Sequence, residues 1–178
     1  MPFLVAAVVL LTALVAFDLF LTLGVIRRLR EHTELLSRVP ADPLGPGIVT
    51  TGGTVGEYAA TTVDGRAVSR ADLAGGTTVV GFFSTTCPAC EKRLPEFVDE
   101  VRGAGRVLAV VVGSGAAAED MCRRLSEVAG TVVCETDEDG PLARAFAVTA
   151  YPAFALVDGD GMVLSGGPTL PRATPARG

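Results

Sequence analysis

Hydrophobic and polar positions divide the chain into four segments. Residues 3–26 form a long apolar run with a single charge, Asp18. Residues 27–53 are predicted to begin as a juxtamembrane helix, over 27–38, and to end as a linker rich in proline and glycine. From 54 to 166, short β-rich runs alternate with stretches in which apolar residues recur at helical spacing. Residues 167–178 are again rich in proline and glycine, and we expect a disordered tail there.

The alternating pattern of the third segment predicts a succession of strands and helices. Strands are predicted at 58–63, 66–68, 77–83, 107–112, 131–135, 153–157 and 162–165, and helices at 69–73, from Cys87 through Val101, at 117–128 and up to Phe146. Strand–helix–strand order favours right-handed parallel crossovers, whereas hairpins add antiparallel strands. We therefore predict the α/β class: a mixed β-sheet with helices on both faces, preceded by one N-terminal transmembrane helix.

Three local features refine the predicted helices. Ser114 is placed to cap the helix at 117–128. The acidic cluster 137–139 lacks the alternating ligands and distal glutamate of a calcium loop, so we interpret it as a helix cap. Pro95 falls inside the helix that follows Cys87, where it predicts a kink.

The apolar run 3–26 is long enough to cross a bilayer, which takes about 20 residues of helix. It lacks the basic start and the small-residue cleavage site of a signal peptide, so we expect an uncleaved anchor that contacts lipid. Four arginines follow the run: Arg27, Arg28, Arg30 and Arg38. The positive-inside tendency would leave the domain beyond them in the cytoplasm.

Composition excludes several classes of function. The chain carries 15 basic and 20 acidic side chains, a formal net charge of −5, so nucleic acid is a poor partner. The single histidine, His32, lies far in sequence from the four cysteines. The chain therefore offers no nearby imidazole to act as the base of a Cys–His protease. The cysteine spacing also does not give the two pairs of ligands of a zinc knuckle. We expect no metal site.

The candidate chemistry lies where the strand at 77–83 gives way to a helix. The loop between them delivers a Cys-x-x-Cys pair, Cys87 and Cys90, to the helix N-terminus. Unpaired backbone N–H groups and the helix dipole at that end favour a thiolate, which is the form that attacks disulfides. The spacing predicts thiol–disulfide exchange with Cys87 as the more exposed and more reactive thiol. A permanent structural disulfide and a metal site are the alternatives.

The other two cysteines are predicted to have a packing role and not a redox role. Cys122 falls in the middle of a predicted helix and Cys134 in the next strand. We interpret both as buried free cysteines that pack as small hydrophobes. A second disulfide and a role in electron relay are the alternatives, since the two elements should pack together.

Several linked features resemble the thioredoxin fold, and within it the membrane-anchored TlpA/ResA-like thiol–disulfide oxidoreductases. They are the Phe-Phe-Ser-Thr-Thr-Cys-Pro-Ala-Cys segment at 82–90, Val63-Asp64-Gly65, Pro95, Asp139-Gly140, Tyr151-Pro152 and the turn at 158–161. The segment at 82–90 is particularly similar to MauD-type accessory proteins of methylamine dehydrogenase maturation. The resemblance covers roughly residues 55–166.

The resemblance implies roles for six residues. It makes Cys87 the attacking thiol and Cys90 the resolving thiol. It matches Pro152 to the family's cis-proline, which lies across from the cysteine pair and presents backbone to a substrate chain. Tyr151, Pro88 and Ala89 would contact the substrate beside it, although Tyr151 could also serve only for packing. The resemblance implies no cofactor.

The resemblance also implies partners and a location. The substrates would be protein thiols and disulfides, the electron donor a membrane protein of the CcdA/DsbD type, and the role maturation of a redox enzyme or cytochrome. It implies a single-pass protein of the cell membrane with its domain outside the cytoplasm, against the arginine distribution. The alternative is a non-catalytic, membrane-anchored binding module with the same fold.

Two positions and one segment depart from the family pattern. Gly81 stands where thioredoxins carry a buried acid, and Arg93 stands where ResA-like proteins often place one. The Pro/Gly-rich tail replaces the usual closing helix. The first two departures leave the deprotonation of Cys90 without an evident base.

Overall fold

The computed structural model of the protein describes residues 47–171, together with Leu11. They belong, apart from Leu11, to the unit Pro43–Gly178, which is described here by itself. The predicted anchor at 3–26, the juxtamembrane segment up to residue 46 and the tail from 172 lie outside the described residues and stay predictions. Within the described part of the chain, no helix combines the length and apolar character needed to cross a bilayer.

Within residues 47–171, seven strands form two sheets. β1 (Ala59–Thr61) and β2 (Ala67–Ser69) make a small antiparallel hairpin. The main sheet contains β3 (Thr78–Ser84), β4 (Val107–Val112), β5 (Thr131–Glu135), β6 (Ala153–Val157) and β7 (Val163–Gly167). Its order is β5-β4-β3-β6-β7, with β3, β4 and β5 parallel and with β6 and β7 added antiparallel. The predicted mixed sheet is therefore confirmed.

Three helices and one 3₁₀ turn cover this sheet. They are α1 (Pro88–Val101), α2 (Ala116–Ser126), α3 (Pro141–Ala145) and the turn Arg70–Leu73. The turn begins with a capping box, in which the Asp72 carboxylate accepts a 2.7 Å hydrogen bond from the Ser69 amide. Pro95 lies inside α1, as the sequence predicts.

β3 is the central strand, and all seven of its residues are buried. Because side chains alternate along a strand, it feeds two cores. Val79 and Phe83 pack against α1 and α2 in what we call the helix-side core. Val80 and Phe82 pack on the opposite face against α3, the 3₁₀ turn and the hairpin. Helices therefore lie on both faces, as predicted, and the strand that leads to Cys87 is held from both sides.

Gly81 makes room for an aromatic ring in the helix-side core. A Cβ at this position would lie 2.7 Å from Cε2 and 2.9 Å from Cζ of Phe97. The Phe97 ring packs edge-on against Phe83, with 5.2 Å between centroids, and stacks with Phe154 at 5.8 Å. The space next to this position in β3 is thus filled by an aromatic side chain carried by α1.

The domain begins earlier than the sequence predicts. Residues 47–53 belong to the predicted linker, yet Ile48 is buried in the core on the α3 side of the sheet. The Val49 amide donates to the Phe146 carbonyl at 2.8 Å, and the Gly52 amide donates to the Val163 carbonyl at 2.8 Å. Proline and glycine therefore shape a packed segment here.

The other end of the domain also extends into a predicted tail. β7 runs to Gly167, and Leu170 packs against the helix-side core. A high glycine content therefore does not distinguish a hydrogen-bonded strand at the edge of a sheet from a disordered tail.

Two predicted caps are wrong. The cap of α2 is Gly115, whose φ of 74° lies in the left-handed region that glycine tolerates, and Ser114 precedes it. At α3 the acidic cluster 137–139 is not the cap either. The Glu135 carboxylate accepts hydrogen bonds from the Leu142 amide at 2.7 Å and the Ala143 amide at 3.2 Å. A buried acid at the end of β5 thus caps the next helix.

Replacing Gly81 with alanine should overpack the helix-side core. The added methyl group would overlap the Phe97 ring, and overpacking of this kind typically costs about 1–3 kcal/mol of unfolding free energy. The matched control is Gly130→Ala, because a Cβ there would meet nothing within 4 Å. Urea unfolding should show a lower midpoint for Gly81→Ala alone. Equal midpoints for the two variants would contradict this account of the core.

Candidate active site

The polar loop after β3 places Cys87 at the N-terminus of α1. Cys87 is the N-cap residue with extended backbone angles, and Pro88 occupies the first helical position, where its missing N–H is not needed. The Cys87 amide donates to the Ser84 carbonyl at 3.2 Å, and the Cys90 amide donates to the Cys87 carbonyl at 3.0 Å. These bonds attach the loop to the end of the buried strand. Cys87 is half-buried, so its sulfur can meet a partner.

Cys90 lies one helical turn further on and is completely buried. Its sulfur accepts a 3.3 Å hydrogen bond from the Ser84 amide. The pKa of the Cys90 thiol is raised to about 12, chiefly by burial; the Ser84 amide lowers this pKa and the nearby Cys87 thiol raises it. At neutral pH Cys90 is therefore a protonated thiol.

The two thiols are thus close together but differ in access, because Cys87 is half-buried and Cys90 is completely buried. An incoming disulfide can reach Cys87 but not Cys90. Once Cys87 is bound in a mixed disulfide, its thiol no longer raises the Cys90 pKa, although burial, the largest cause, persists. The arrangement favours attack by Cys87 first and by Cys90 second.

A loop on the far side of the pair supplies a backbone group to Cys87. The Cys87 thiol donates a 3.3 Å hydrogen bond to the Tyr151 carbonyl, and the Tyr151–Pro152 peptide bond is cis. The cis-proline that the resemblance implies is therefore present beside the cysteines. Pro88 and Ala89 are exposed next to them. All six site residues named from the sequence come together around Cys87.

The Tyr151 side chain points inward. Its hydroxyl is buried and has no hydrogen-bond partner among the described residues. The pKa of Tyr151 is raised to about 12, chiefly by burial and in the same direction by the carboxylates of Glu138 and Glu135. The ring packs against both cores of the sheet. The side chain thus serves packing, while the backbone carbonyl faces the cysteine.

Glu135 is a residue that the sequence analysis did not single out. Burial raises the pKa of this carboxyl group, and the two α3 amides that it accepts act against that effect. A Cβ at Gly140 would lie 2.3 Å from the Glu135 carboxyl carbon, so the acid packs directly on the backbone that precedes α3. The signal in the sequence is an acid that ends an otherwise apolar strand.

The positions that depart from the family pattern have other contacts. Arg93 pairs with Glu96 at 2.9 Å on the exposed face of α1, with 45% of its side chain accessible. Gly81 borders the Phe97 ring. None of the described carboxylates is among the groups that act on the Cys90 pKa. Within residues 47–171 no cluster of three or more His, Cys, Asp or Glu side chains is arranged to hold a metal ion.

The remaining cysteines do not both behave as predicted. Cys122 is buried in the helix-side core, whereas Cys134 is exposed on the edge strand β5. The expectation of two buried cysteines is therefore wrong for Cys134. Val132 and Val133 in the same strand are buried, so the exposure is specific to this position of β5.

Comparison with known proteins agrees with this geometry. The redoxin family profile matches residues 47–167. No curated protein sequence matches the chain. A thiol:disulfide interchange protein of the thioredoxin family from Chlorobium tepidum TLS is 25% identical, with a TM-score of 0.51 over 68% of this chain and 90% of that one.

Two further solved structures share the fold. The thioredoxin domain of a thiol-disulfide oxidoreductase from Bacteroides vulgatus is 18% identical, with a TM-score of 0.54 over 66% of this chain and 88% of that one. A secreted Mycobacterium tuberculosis disulfide oxidoreductase, homologous to E. coli DsbE, is 21% identical, with a TM-score of 0.51 over 66% and 87%. Each covers the domain that carries Cys87 and Cys90.

Alkylation should distinguish the two thiols. Between pH 7 and 9, iodoacetamide should modify Cys87 and leave Cys90 intact, because Cys90 is buried and its pKa of about 12 keeps it protonated. Any modification of Cys90 should rise with pH, since the thiolate fraction rises towards the pKa. Tandem mass spectrometry can locate each adduct, with urea-unfolded protein as the control in which both react. Faster modification of Cys90 than of Cys87 in the folded protein would contradict the assignment.

Proposed function

Because this chain belongs to the redoxin family and is a thiol–disulfide oxidoreductase, we propose that it exchanges disulfides with cysteines of partner proteins through Cys87 and Cys90. One observation carries the proposal. A half-exposed thiol at a helix N-terminus faces a backbone carbonyl at 3.3 Å, with a second, buried thiol one turn behind it. Accessible attack and internal release are the two requirements of a dithiol exchange cycle.

The cycle begins when the Cys87 thiolate attacks one sulfur of a partner disulfide. The partner's S–S bond breaks, one partner thiol leaves, and a Cys87–partner disulfide forms. Cys90 then loses its proton and attacks the Cys87 sulfur, which releases the second partner thiol and closes the Cys87–Cys90 disulfide. Two electrons pass from the pair to the partner, and the reverse sequence oxidises a partner dithiol.

The substrate chain is proposed to dock beside Tyr151–Pro152. The Tyr151 carbonyl contacts Cys87, so an extended chain that meets this loop would bring its own sulfur to the same place. Pro88 and Ala89 are exposed and offer a small apolar surface on the other side of Cys87. Backbone contacts of this kind select an accessible disulfide and do not depend on one particular side chain.

We further propose that the chain is tethered to a membrane by residues 3–26, with its domain outside the cytoplasm. The apolar length of that segment supports the tether. The resemblance to membrane-anchored TlpA/ResA-like proteins supports the location, since disulfides persist outside the cytoplasm. An electron donor of the CcdA/DsbD type and a role in maturing a redox enzyme or cytochrome follow from the same resemblance.

Turnover separates an oxidoreductase from a non-catalytic binding module. With dithiothreitol as reductant and insulin as the disulfide substrate, the full chain should accelerate reduction. Cys87→Ser should lower that rate at least about tenfold, because it removes the attacking sulfur. Met162→Ser is the matched control, since it removes an exposed sulfur-containing side chain that is not a thiol. Equal rates for the wild-type chain and Cys87→Ser would support the binding module.

A reporter fusion tests the topology. Alkaline phosphatase fused after Gly178 should be active, because that enzyme needs disulfides that form only outside the cytoplasm. A fusion that lacks residues 3–26 serves as the control and should be inactive. An inactive full-length fusion together with a bright cytoplasmic fluorescent reporter at the same site would reverse the proposed orientation.

A further inference from the structure

Cys122 and Cys134 lie together at a second place on the domain. Cys122 is on α2 and points into the helix-side core, and Cys134 is on the neighbouring edge strand β5. Both line the same cavity of about 280 Å³, which Val63, Glu119, Arg123 and Ser126 complete. One of the two thiols is exposed and the other is buried.

This pair repeats the chemical asymmetry of Cys87 and Cys90. Burial is the largest cause of a Cys122 pKa raised to about 12, and the neighbouring Cys134 thiol acts in the same direction. The Cys134 thiol donates a weak, 3.8 Å hydrogen bond to the Gly113 carbonyl. An accessible sulfur and a protected one thus share one cavity.

We propose that Cys122 and Cys134 form a second thiol–disulfide exchange site, separate from Cys87 and Cys90, which reacts with small-molecule disulfides. The cavity is close to the lower end of the volumes of small-molecule sites, which begin at about 300 Å³. Glu119 and Arg123 are among the residues that line this cavity, and the Arg123 guanidinium also pairs with Asp120 on α2. Like Cys87, Cys134 meets a backbone carbonyl, but the contact with Gly113 is longer, at 3.8 Å instead of the 3.3 Å between Cys87 and Tyr151.

The proposed step is balanced within the site. The Cys134 thiolate attacks one sulfur of the small disulfide, whose S–S bond breaks and releases one thiol. Cys122 then attacks the Cys134 sulfur, the second small thiol leaves, and a Cys122–Cys134 disulfide forms. The departing thiolates take up the two protons, and the small disulfide takes up the two electrons. The new bond would join α2 to β5.

The test uses the full chain with Cys87→Ser and Cys90→Ser, so that only the second pair can react. Oxidised glutathione is the probe. Trypsin cuts after Arg106, Arg123 and Arg144, so that Cys122 and Cys134 fall in different peptides. We expect the loss of two alkylatable thiols and a crosslink between those peptides that dithiothreitol reverses. Circular dichroism checks that the variant is folded.

Two further variants in that background fix the order of attack. With Cys122→Ser, one glutathione should accumulate on Cys134, because the resolving sulfur is gone. With Cys134→Ser, Cys122 should stay alkylatable after unfolding, because it is buried and has no exposed partner. The exposed position 134 makes the second variant the safer one for folding.

Two results would overturn the proposal. One is that both cysteines stay reduced in a glutathione buffer that fully oxidises Cys87 and Cys90 of the wild-type chain. The other is a stable glutathione adduct on Cys134 while Cys122 in the same molecule stays free. Neither result would touch the activity proposed for Cys87 and Cys90, which the insulin assay measures independently.

Discussion

The hydrogen bond from the Ser84 amide to the Cys90 sulfur joins the central strand to the chemistry. β3 is buried along its whole length, so the position and direction of its last amide are fixed by packing on both faces. That amide donates to a sulfur that solvent does not reach. The amide lowers the Cys90 pKa and burial raises it, and the larger effect of burial leaves this pKa at about 12. Cys87, at the N-terminus of α1, is half-buried and is therefore the thiol of the pair that solvent reaches. The accessible thiol can therefore attack a partner, and the buried thiol can release it.

The packing around β3 also determines which groups can accept the proton of Cys90. The helix-side core places Phe97 beside Gly81, and the ring leaves no room there for an acid. The buried carboxylate that the domain does contain, Glu135, is held by two amides of α3 and is a structural cap. No carboxylate of the described residues acts on the Cys90 pKa, and solvent does not reach this sulfur, so we propose that the departing partner thiolate takes its proton. Deprotonation of Cys90 is tied to the moment when a substrate is bound to Cys87.

Much of this domain could be predicted from the sequence, because its signals are local. The β-rich runs give the strands, and the Cys-x-x-Cys pair after one of them gives the reactive thiols. The features that could not be predicted depend on tertiary contacts. Glu135 caps a helix that begins six positions later, and Ile48 is buried although it lies in a Pro/Gly-rich segment. Cys134 is exposed although Val132 and Val133 in the same strand are buried, a difference that the local pattern does not encode.

Trapping a reaction intermediate tests the central claim most directly. The full chain with Cys90→Ser keeps the exposed sulfur and removes the buried one. Incubated with a disulfide-containing peptide, it should accumulate a mixed disulfide that mass spectrometry locates on Cys87 and that dithiothreitol releases. The wild-type chain should release the peptide and close its own disulfide. A peptide adduct on Cys87 that the wild-type chain retains equally long, or the absence of any adduct on Cys87 in the variant, would contradict the division of roles between the two thiols.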